Sequence, residues 1–289
     1  MWTYYGFKIA GFTIAFIPRK IGYFFSRLIG ELIYLLSPGT RAAVFDNMRH
    51  VFGAKANKSS VRKAARGVLR NTIMNYYDLI KLPRKDHGDI EERVTKYGWH
   101  HLEDAYNSGK GLIIVTAHIG SFDTAAQSLA ARSINTTILV EPLEPTKLLD
   151  HICSLRNSQG LSFIPANMGA LRHLVRTLRN GEAILLTCDR DFAKDGIKMD
   201  FFGEEASMPA GAVRIAMKTG SIVVPAFNLR RAHGRYEVYV EPPIDIIYEG
   251  DGAVEENVAR VTRALERCIS RGPDQWVVLS RIWPDGSNQ

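Results

Sequence analysis

From residue 99 onward the sequence repeats one unit: a polar stretch closed by glycine, followed at once by a short apolar run. Gly109 precedes Leu112-Ile113-Ile114-Val115, Gly160 precedes Leu161-Ser162-Phe163-Ile164, Gly181 precedes Ile184-Leu185-Leu186, and Gly220 precedes Ile222-Val223-Val224. Glycine ends a helix in left-handed backbone at no steric cost, and short uninterrupted apolar runs suit strands covered on both faces. Between the runs, residues 122–132, 146–158, 169–179 and 209–218 carry apolar side chains at helical spacing. Strand and helix alternate, which predicts an α/β fold with a mainly parallel central sheet flanked by helices. Thr136 to Val140 adds a further buried strand. Ile197 to Phe201 and Arg235 to Val240 alternate in polarity instead and read as half-exposed edge strands. Residues 254–271 form a last amphipathic helix ended by Gly272-Pro273.

The N-terminal part differs in character. Its first 85 residues hold 15 Lys or Arg against Glu31, Asp46 and Asp78, an excess of +12, although the whole chain carries only +7. Such asymmetry implies a polyanionic partner, either nucleic acid or an anionic membrane. The apolar and aromatic content of residues 1–36, from Trp2, Tyr4, Tyr5 and Phe7 to Ile33 and Leu36, favours the membrane over nucleic acid. Lys8, Arg19, Lys20, Arg27 and Glu31 interrupt it, so no stretch reaches the ~20 apolar residues that a span needs, whereas aromatics mixed with cations suit an interfacial helix. A helical hairpin packed on the protein's own core is the alternative. Residues 59–82 read as a long basic amphipathic helix, capped by Ser59 or Ser60 and followed by Pro83. The expected organisation is a helical membrane-associating region, residues 1–85, ahead of an α/β domain, residues 86–289. Cys153, Cys188 and Cys268 are odd in number and form no C-x-x-C pair, so neither disulfides nor a zinc site is suggested.

The chemistry concentrates at two predicted strand ends. Val115-Thr116-Ala117-His118-Ile119-Gly120-Ser121-Phe122-Asp123 places a histidine at the carboxyl end of one strand and an aspartate at the start of the next helix. Ligands of open α/β sheets bind at that edge. A spacing of five brings the two side chains together only across a strand, turn and helix, where Asp123 could take the Nδ1 proton and leave Nε2 as a base. The second strand end carries Asp189-Arg190-Asp191 after Ala183 to Cys188, and three charges in a row there serve packing poorly. Downstream, Phe201-Phe202-Gly203 leads through a polar turn to Met208-Pro209-Ala210-Gly211 and a helix opened by Pro209. Backbone N–H groups in that stretch could bind an anion while Phe201, Phe202 and Met208 contact an acyl chain, ordinary core packing being the alternative. The remaining histidines lack metal-ligand spacing, and no nucleophile elbow, Walker loop or dinucleotide fingerprint is present.

These residues, with Asp46-Asn47-Met48-Arg49-His50-Val51-Phe52 and Glu141-Pro142-Leu143-Glu144-Pro145, resemble the bacterial lipid A lauroyl/myristoyl-type acyltransferases. They resemble the phosphatidylinositol mannoside acyltransferase branch more closely. The resemblance implies acyl transfer from acyl-CoA or an acyl carrier protein to a hydroxyl of a membrane lipid or glycolipid, with His118 as base, no covalent intermediate and neither metal nor cofactor. It implies a further acidic residue beside the histidine, Asp191 or else Asp189, and makes Arg156 and Arg190 candidates to hold phosphate or sugar. Glu141 stands where lipid A enzymes tend to carry arginine, which puts a lipid A acceptor in question. A lysophospholipid or glycerolipid acyltransferase and a non-catalytic peripheral membrane protein are the rival readings. The expected location is the cytoplasmic face of the inner membrane.

Overall fold

The computed structural model describes residues 11–284 apart from Ala15, Asp86, Leu143, Gln159 and Met168, so residues 1–10 and Leu143 of the motifs above lie outside it. Three helices come first: α1 (Arg19–Leu36), α2 (Pro38–Phe52) and α3 (Lys58–Lys81). A short α4 (His87–Glu91) leads to β1 (Val94–Tyr97) and α5 (Trp99–Asn107). Strands and helices then alternate through β2 (Leu112–Thr116), α6 (Phe122–Ala131), β3 (Thr136–Val140), α7 (Thr146–Asn157), β4 (Ser162–Pro165), α8 (Ala170–Arg179) and β5 (Ala183–Thr187). A hairpin of β6 (Ile197–Phe201) and β7 (Glu204–Met208) precedes α9 (Gly211–Thr219), β8 (Ile222–Arg230), β9 (Tyr236–Val240) and α10 (Ala253–Ser270).

The main sheet has seven strands in the order β1-β9-β8-β2-β5-β3-β4. Every neighbouring pair is parallel except β8 with β9. The mainly parallel α/β sheet expected from the alternating runs is therefore present. β2 is buried along its whole length, as a strand with parallel neighbours and helices on both faces must be. From β2 the chain turns first toward β3 and β4, then returns through β5 and crosses to β8. The carboxyl ends of β2 and β5 thus flank the point where the winding reverses, the crevice that such sheets leave for a ligand.

Several local expectations need correction. Residues 236–240 are not an edge strand, because β1 pairs outside them. The half-exposed alternation itself holds: Glu237 and Tyr239 stay partly exposed, Arg231 pairs with Glu237, and Tyr97 and Arg271 lie against Tyr239. β6 is half-exposed as its alternation predicts, yet it pairs only with β7, apart from the main sheet. The polar turn expected after Phe201 is shorter than it reads. Phe202 and Gly203 both take positive φ, 55° and 81°, a tight two-residue turn that sends residues 204–208 back as a strand. Helix α9 consequently begins at Gly211, after Pro209. Helix α3 is capped not by Ser59 or Ser60 but by Asn57, whose side chain accepts from the Ser59 N–H at 2.9 Å.

The N-terminal helices share the core of the sheet: Val61, Ala65, Val68 and Leu69 of α3 belong to one apolar cluster with Ile113 and Val115 of β2. Helix α1 crosses α3 on its small residues. A methyl group added at Gly22 would strike the Tyr77 ring, and one at Gly30 would lie 2.7 Å from the Arg70 backbone. Its large residues face outward, with Phe24 64%, Leu35 57% and Leu36 79% exposed beside Phe25, Leu28 and Leu32. Among the described residues no single helix is long and apolar enough to cross a membrane, and α1 meets α2 at a bend of 101°.

A buried charge cluster ties these layers together. Asp78 of α3 pairs with Arg230 of β8 at 2.9 Å and accepts from the Tyr23 hydroxyl of α1 and from Ser121 Oγ, which lies just after His118. Burial alone would raise the Asp78 carboxyl, but the charges of Arg230 and Lys85 outweigh it and hold it ionised below its ordinary range. Removing one partner of such a pair strands the other charge, so Asp78→Ala should cost about 3–5 kcal/mol of folding stability, with part regained when Arg230→Met is added. Denaturant titration of the two variants checks this; a cost under ~1 kcal/mol would contradict it.

Candidate active site

His118 and Asp189 meet because their strands are in register. β2 and β5 pair Leu112 with Ala183 through Thr116 with Thr187, and the Cys188 N–H continues the ladder onto the Thr116 carbonyl at 2.9 Å. Two residues beyond the last pair on each strand stand His118 and Asp189. Asp189 Oδ1 lies 2.8 Å from His118 Nδ1, while Oδ2 accepts from the His118 backbone N–H at 2.9 Å and from Trp276 Nε1 at 2.7 Å. None of the Asp189 surface reaches solvent. Burial opposes its charge, but the His118 ring and the donated hydrogen bonds lower its carboxyl below the ordinary range. For His118 burial likewise disfavours the charged form, and the Asp189 charge and hydrogen bond overcome it and raise the imidazole above its ordinary value, with a smaller push from Glu141.

The turn that carries the histidine is clamped from three sides. Gly120 has φ +67°, and a Cβ there would sit 2.2 Å from the Asn228 carbonyl, so only glycine fits. Asn75 of α3 donates to the Gly120 carbonyl, Asn228 of β8 bridges the Ile119 carbonyl and the Ser121 N–H, and the Gln275 carbonyl accepts from the Gly120 N–H. The Val277 N–H holds the His118 carbonyl at 2.8 Å. Behind Asp189, Phe201 stacks on Trp283 and meets Trp276 edge-on. Trp283 stacks in turn on His50, and Asn47 binds the carbonyls of Val278 and Ser280.

The expected partner of the histidine is therefore corrected. Asp123, at the first turn of α6, faces Arg156 of α7: Nη2 donates to Oδ2 at 3.2 Å, and Nε lies 2.7 Å from Oδ1, too oblique for a hydrogen bond. The strand, turn and helix do bring His118 and Asp123 to one cavity, but the in-register neighbour occupies Nδ1 first. Asp191 is not beside the histidine either. Its Oδ2 accepts from the Gly196 N–H at 3.0 Å and from Ser207 Oγ at 2.6 Å, stapling the loop after β5 to β7. Arg190 is ion-paired with Glu141, and both line the cavity with His118.

That cavity, about 360 Å³, lies between the sheet and helices α3, α5, α6 and α7. Its polar end holds His118, Asp123, Arg156, Arg190 and Glu141, and its depth is lined by Leu79, Leu102, Ile114, Leu129, Ile138 and Phe163. Phe201 and Met208, expected to contact an acyl chain, are instead wholly buried in the apolar cluster that contains Ile113 and Val115, with Phe202 packed against it. Alternate residues of β2 point to opposite faces, so Ile114 and Thr116 line the cavity while Ile113 and Val115 join that cluster. Of the two acids that the resemblance offers beside His118 it is the alternative, Asp189, that makes the contact, while the apolar lining has no counterpart in the sequence reading. One signal was present: Leu112-Ile113-Ile114-Val115-Thr116-Ala117-His118 and Ala183-Ile184-Leu185-Leu186-Thr187-Cys188-Asp189 are runs of the same length and pattern, and superposing them sets His118 against Asp189.

A parallel α/β sheet whose switch point carries a carboxylate-held histidine above an apolar slot defines a class of site suited to proton abstraction beside a long apolar substrate. Residues 1–284 match the family described as bacterial lipid A biosynthesis acyltransferase, and the chain belongs to it. A phosphatidylinositol mannoside acyltransferase of Mycobacterium tuberculosis (strain CDC 1551 / Oshkosh) is 29% identical over 216 residues, 71% of this chain and 66% of that protein, just under two thirds of its length. A protein of the same name from Mycolicibacterium smegmatis is 28% identical over 225 residues, 75% of this chain and 71% of its own. A lipid A biosynthesis acyltransferase of Haemophilus influenzae is 22% identical over 195 residues, 67% of this chain and 60% of that one. The family resemblance carried by the motifs is thereby borne out.

The geometry makes a spectroscopic prediction that needs no substrate. NMR titration of the His118 ring should give a pKa above the ordinary ~6.5, and Asp189→Asn should lower it. The same midpoint in both proteins would refute the stated cause of the shift.

Proposed function

We propose that the protein transfers a fatty acyl chain from an acyl thioester, acyl-CoA or acyl-acyl carrier protein, to a hydroxyl of a membrane glycolipid, of phosphatidylinositol mannoside or lipid A type. The observation that carries this reading is the contact of His118 Nδ1 with the buried Asp189 at the polar end of an apolar cavity. With Nδ1 engaged, Nε2 is the nitrogen left for the acceptor hydroxyl. It takes the hydroxyl proton as the oxygen attacks the thioester carbonyl, the carbon–sulfur bond breaks, and the proton passes from the imidazolium to the departing thiolate. Asp189 holds the tautomer and stabilises the imidazolium, the part a carboxylate plays behind a catalytic histidine. The acyl chain would lie along Leu102, Leu129 and Ile138, while Arg156 and Arg190, held in place by Asp123 and Glu141, present cationic groups to the phosphate or sugar of a substrate. The greater identity to the relatives named for phosphatidylinositol mannoside favours that acceptor class.

The outward apolar face of α1 supports a peripheral seat on the membrane, with Lys20 and Arg27 exposed on the same helix. In the bacterial cell this corresponds to the cytoplasmic face of the inner membrane, where thioester donors are available.

Thioester consumption with a mannosylated phosphatidylinositol acceptor tests the chemistry. His118→Ala should abolish it, and Asp189→Asn should reduce kcat by about 10²–10⁴. Because protonation removes the base, the acid limb of the parent's pH profile should fall at a pH above the ordinary histidine value of ~6.5 and move lower in Asp189→Asn. A parent-like rate in His118→Ala would end the catalytic reading. Replacing Phe24, Leu28 and Leu32 together by Ser should release the protein from anionic vesicles while sparing turnover of detergent-dispersed acceptor. Unchanged co-sedimentation of that variant would sink the peripheral seat.

A further inference from the structure

Helix α3 separates the His118 cavity from a second and larger one, about 1070 Å³, on its other side. It presents Asn75, Tyr76 and Leu79 to the first and Arg70, Met74 and Tyr77 to the second, so the two cavities share no lining residue. The second is walled by α1, α3 and the segment around Arg230 to Gly234. Its lining carries nine Lys or Arg side chains against two acids, Asp78 and Asp274. Even after Glu31 neutralises Arg70 and Glu237 neutralises Arg231, five positive charges remain in excess. Lys20, Arg27 and Arg93 have no carboxylate within ion-pair distance among the described residues, whereas Asp78 is already shared between Arg230, Lys85 and Tyr23.

The cluster is held in place by its own framework. Arg19 Nη1 donates to the Gly234 carbonyl and Lys81 Nζ to the Ile17 carbonyl, which fixes both cations at the wall. The Lys81 amine is depressed below its ordinary value by burial and by the neighbouring charges of Arg84, Lys85 and Arg19, as expected where positive potential accumulates. Phe24 lines the same cavity, is 64% exposed, and belongs to the outward apolar row of α1. A polar, cationic basin thus opens directly onto a strip of apolar surface.

We infer that this basin binds the phosphate headgroup of an anionic phospholipid whose acyl tails follow the outward face of α1. Concentrated positive charge alone would fit any phosphate, but its continuity with Phe24, Leu28 and Leu32 selects an amphiphile over a soluble anion. The inference rests on the reading of α1 as bilayer-facing and not on acyl transfer at His118.

The test uses the full chain in neutral dodecyl maltoside micelles and calorimetric titration with dihexanoyl phosphatidylglycerol, with dihexanoyl phosphatidylcholine and glycerol 3-phosphate in parallel. Phosphatidylglycerol is expected to saturate a single site and the other two to bind at least tenfold more weakly, about the effect of losing one to two kcal/mol of charge or tail contact. Arg27→Glu, an exposed change, should weaken the lipid about fivefold or more, and Lys20→Glu with Arg27→Glu and Arg93→Glu more than tenfold, with near-UV circular dichroism unchanged. Equal binding by parent and Arg27→Glu overturns the assignment, and so does glycerol 3-phosphate binding as tightly as the lipid, which would make the basin a site for soluble phosphate. His118→Ala should leave the titration unaltered and the charge-reversed variants should keep kcat on detergent-dispersed acceptor, so loss of this site and loss of the transfer reaction are told apart.

Discussion

A carboxylate with no surface in water is tolerable only when its lone pairs are answered by donors and a positive charge stands nearby. Asp189 meets that demand with the His118 ring, the His118 backbone and the Trp276 indole, and much of the molecule is arranged to keep those three in place. Trp276 is fixed by Phe201 and Trp283, Trp283 by His50, and the segment 276–283 by Asn47 of α2. Residues that read as an N-terminal motif and as an acyl-contacting aromatic pair are thereby joined in one support behind a single carboxylate. On the open side the imidazole faces the cavity. The same interaction orients the ring and sets its proton affinity.

The fold was legible because strand and helix periods differ and glycine marks the joins. The runs at 112, 162, 183 and 222 became β2, β4, β5 and β8, and the helices between them fall within a residue or two of their expected bounds. What escaped was lateral. Nothing in the periodicity of Arg235 to Val240 reveals that β1 pairs outside it, or that Tyr97 and Arg271 will lie against Tyr239. In the site, spacing along the chain points His118 to Asp123, five residues away. Its actual partner is 71 residues away and adjacent only through strand order. The apolar residues Phe201 and Met208 were hard to place for a related reason: both faces of a doubly covered sheet are apolar, so composition does not say which face holds the cavity.

Helix α1 inverts the ordinary arrangement of a surface helix. Gly22, Ser26 and Gly30 share its buried face with Tyr23 and Tyr34 and let its backbone approach α3 closely, while phenylalanine, leucine and isoleucine crowd its exposed one. Close approach through small residues is how helices pack where apolar surroundings give no drive to bury large side chains. The Asp78 cluster makes this helix part of the same unit as the His118 turn, since Tyr23 of α1 and Ser121 of the turn bind one carboxylate.

The position of the segment around Gln275 to Val277 has a consequence for synthesis. These residues hold the backbone of the His118 turn, yet they follow it by more than 150 positions along the chain. A ribosome delivers α1 first and this clamp among the last residues described, and domains form as their parts emerge. The outward-facing helix can therefore settle while the histidine turn is still unbraced. The turn that carries His118 would be fully braced only once residues 275–277 had left the tunnel, long after α1 had emerged.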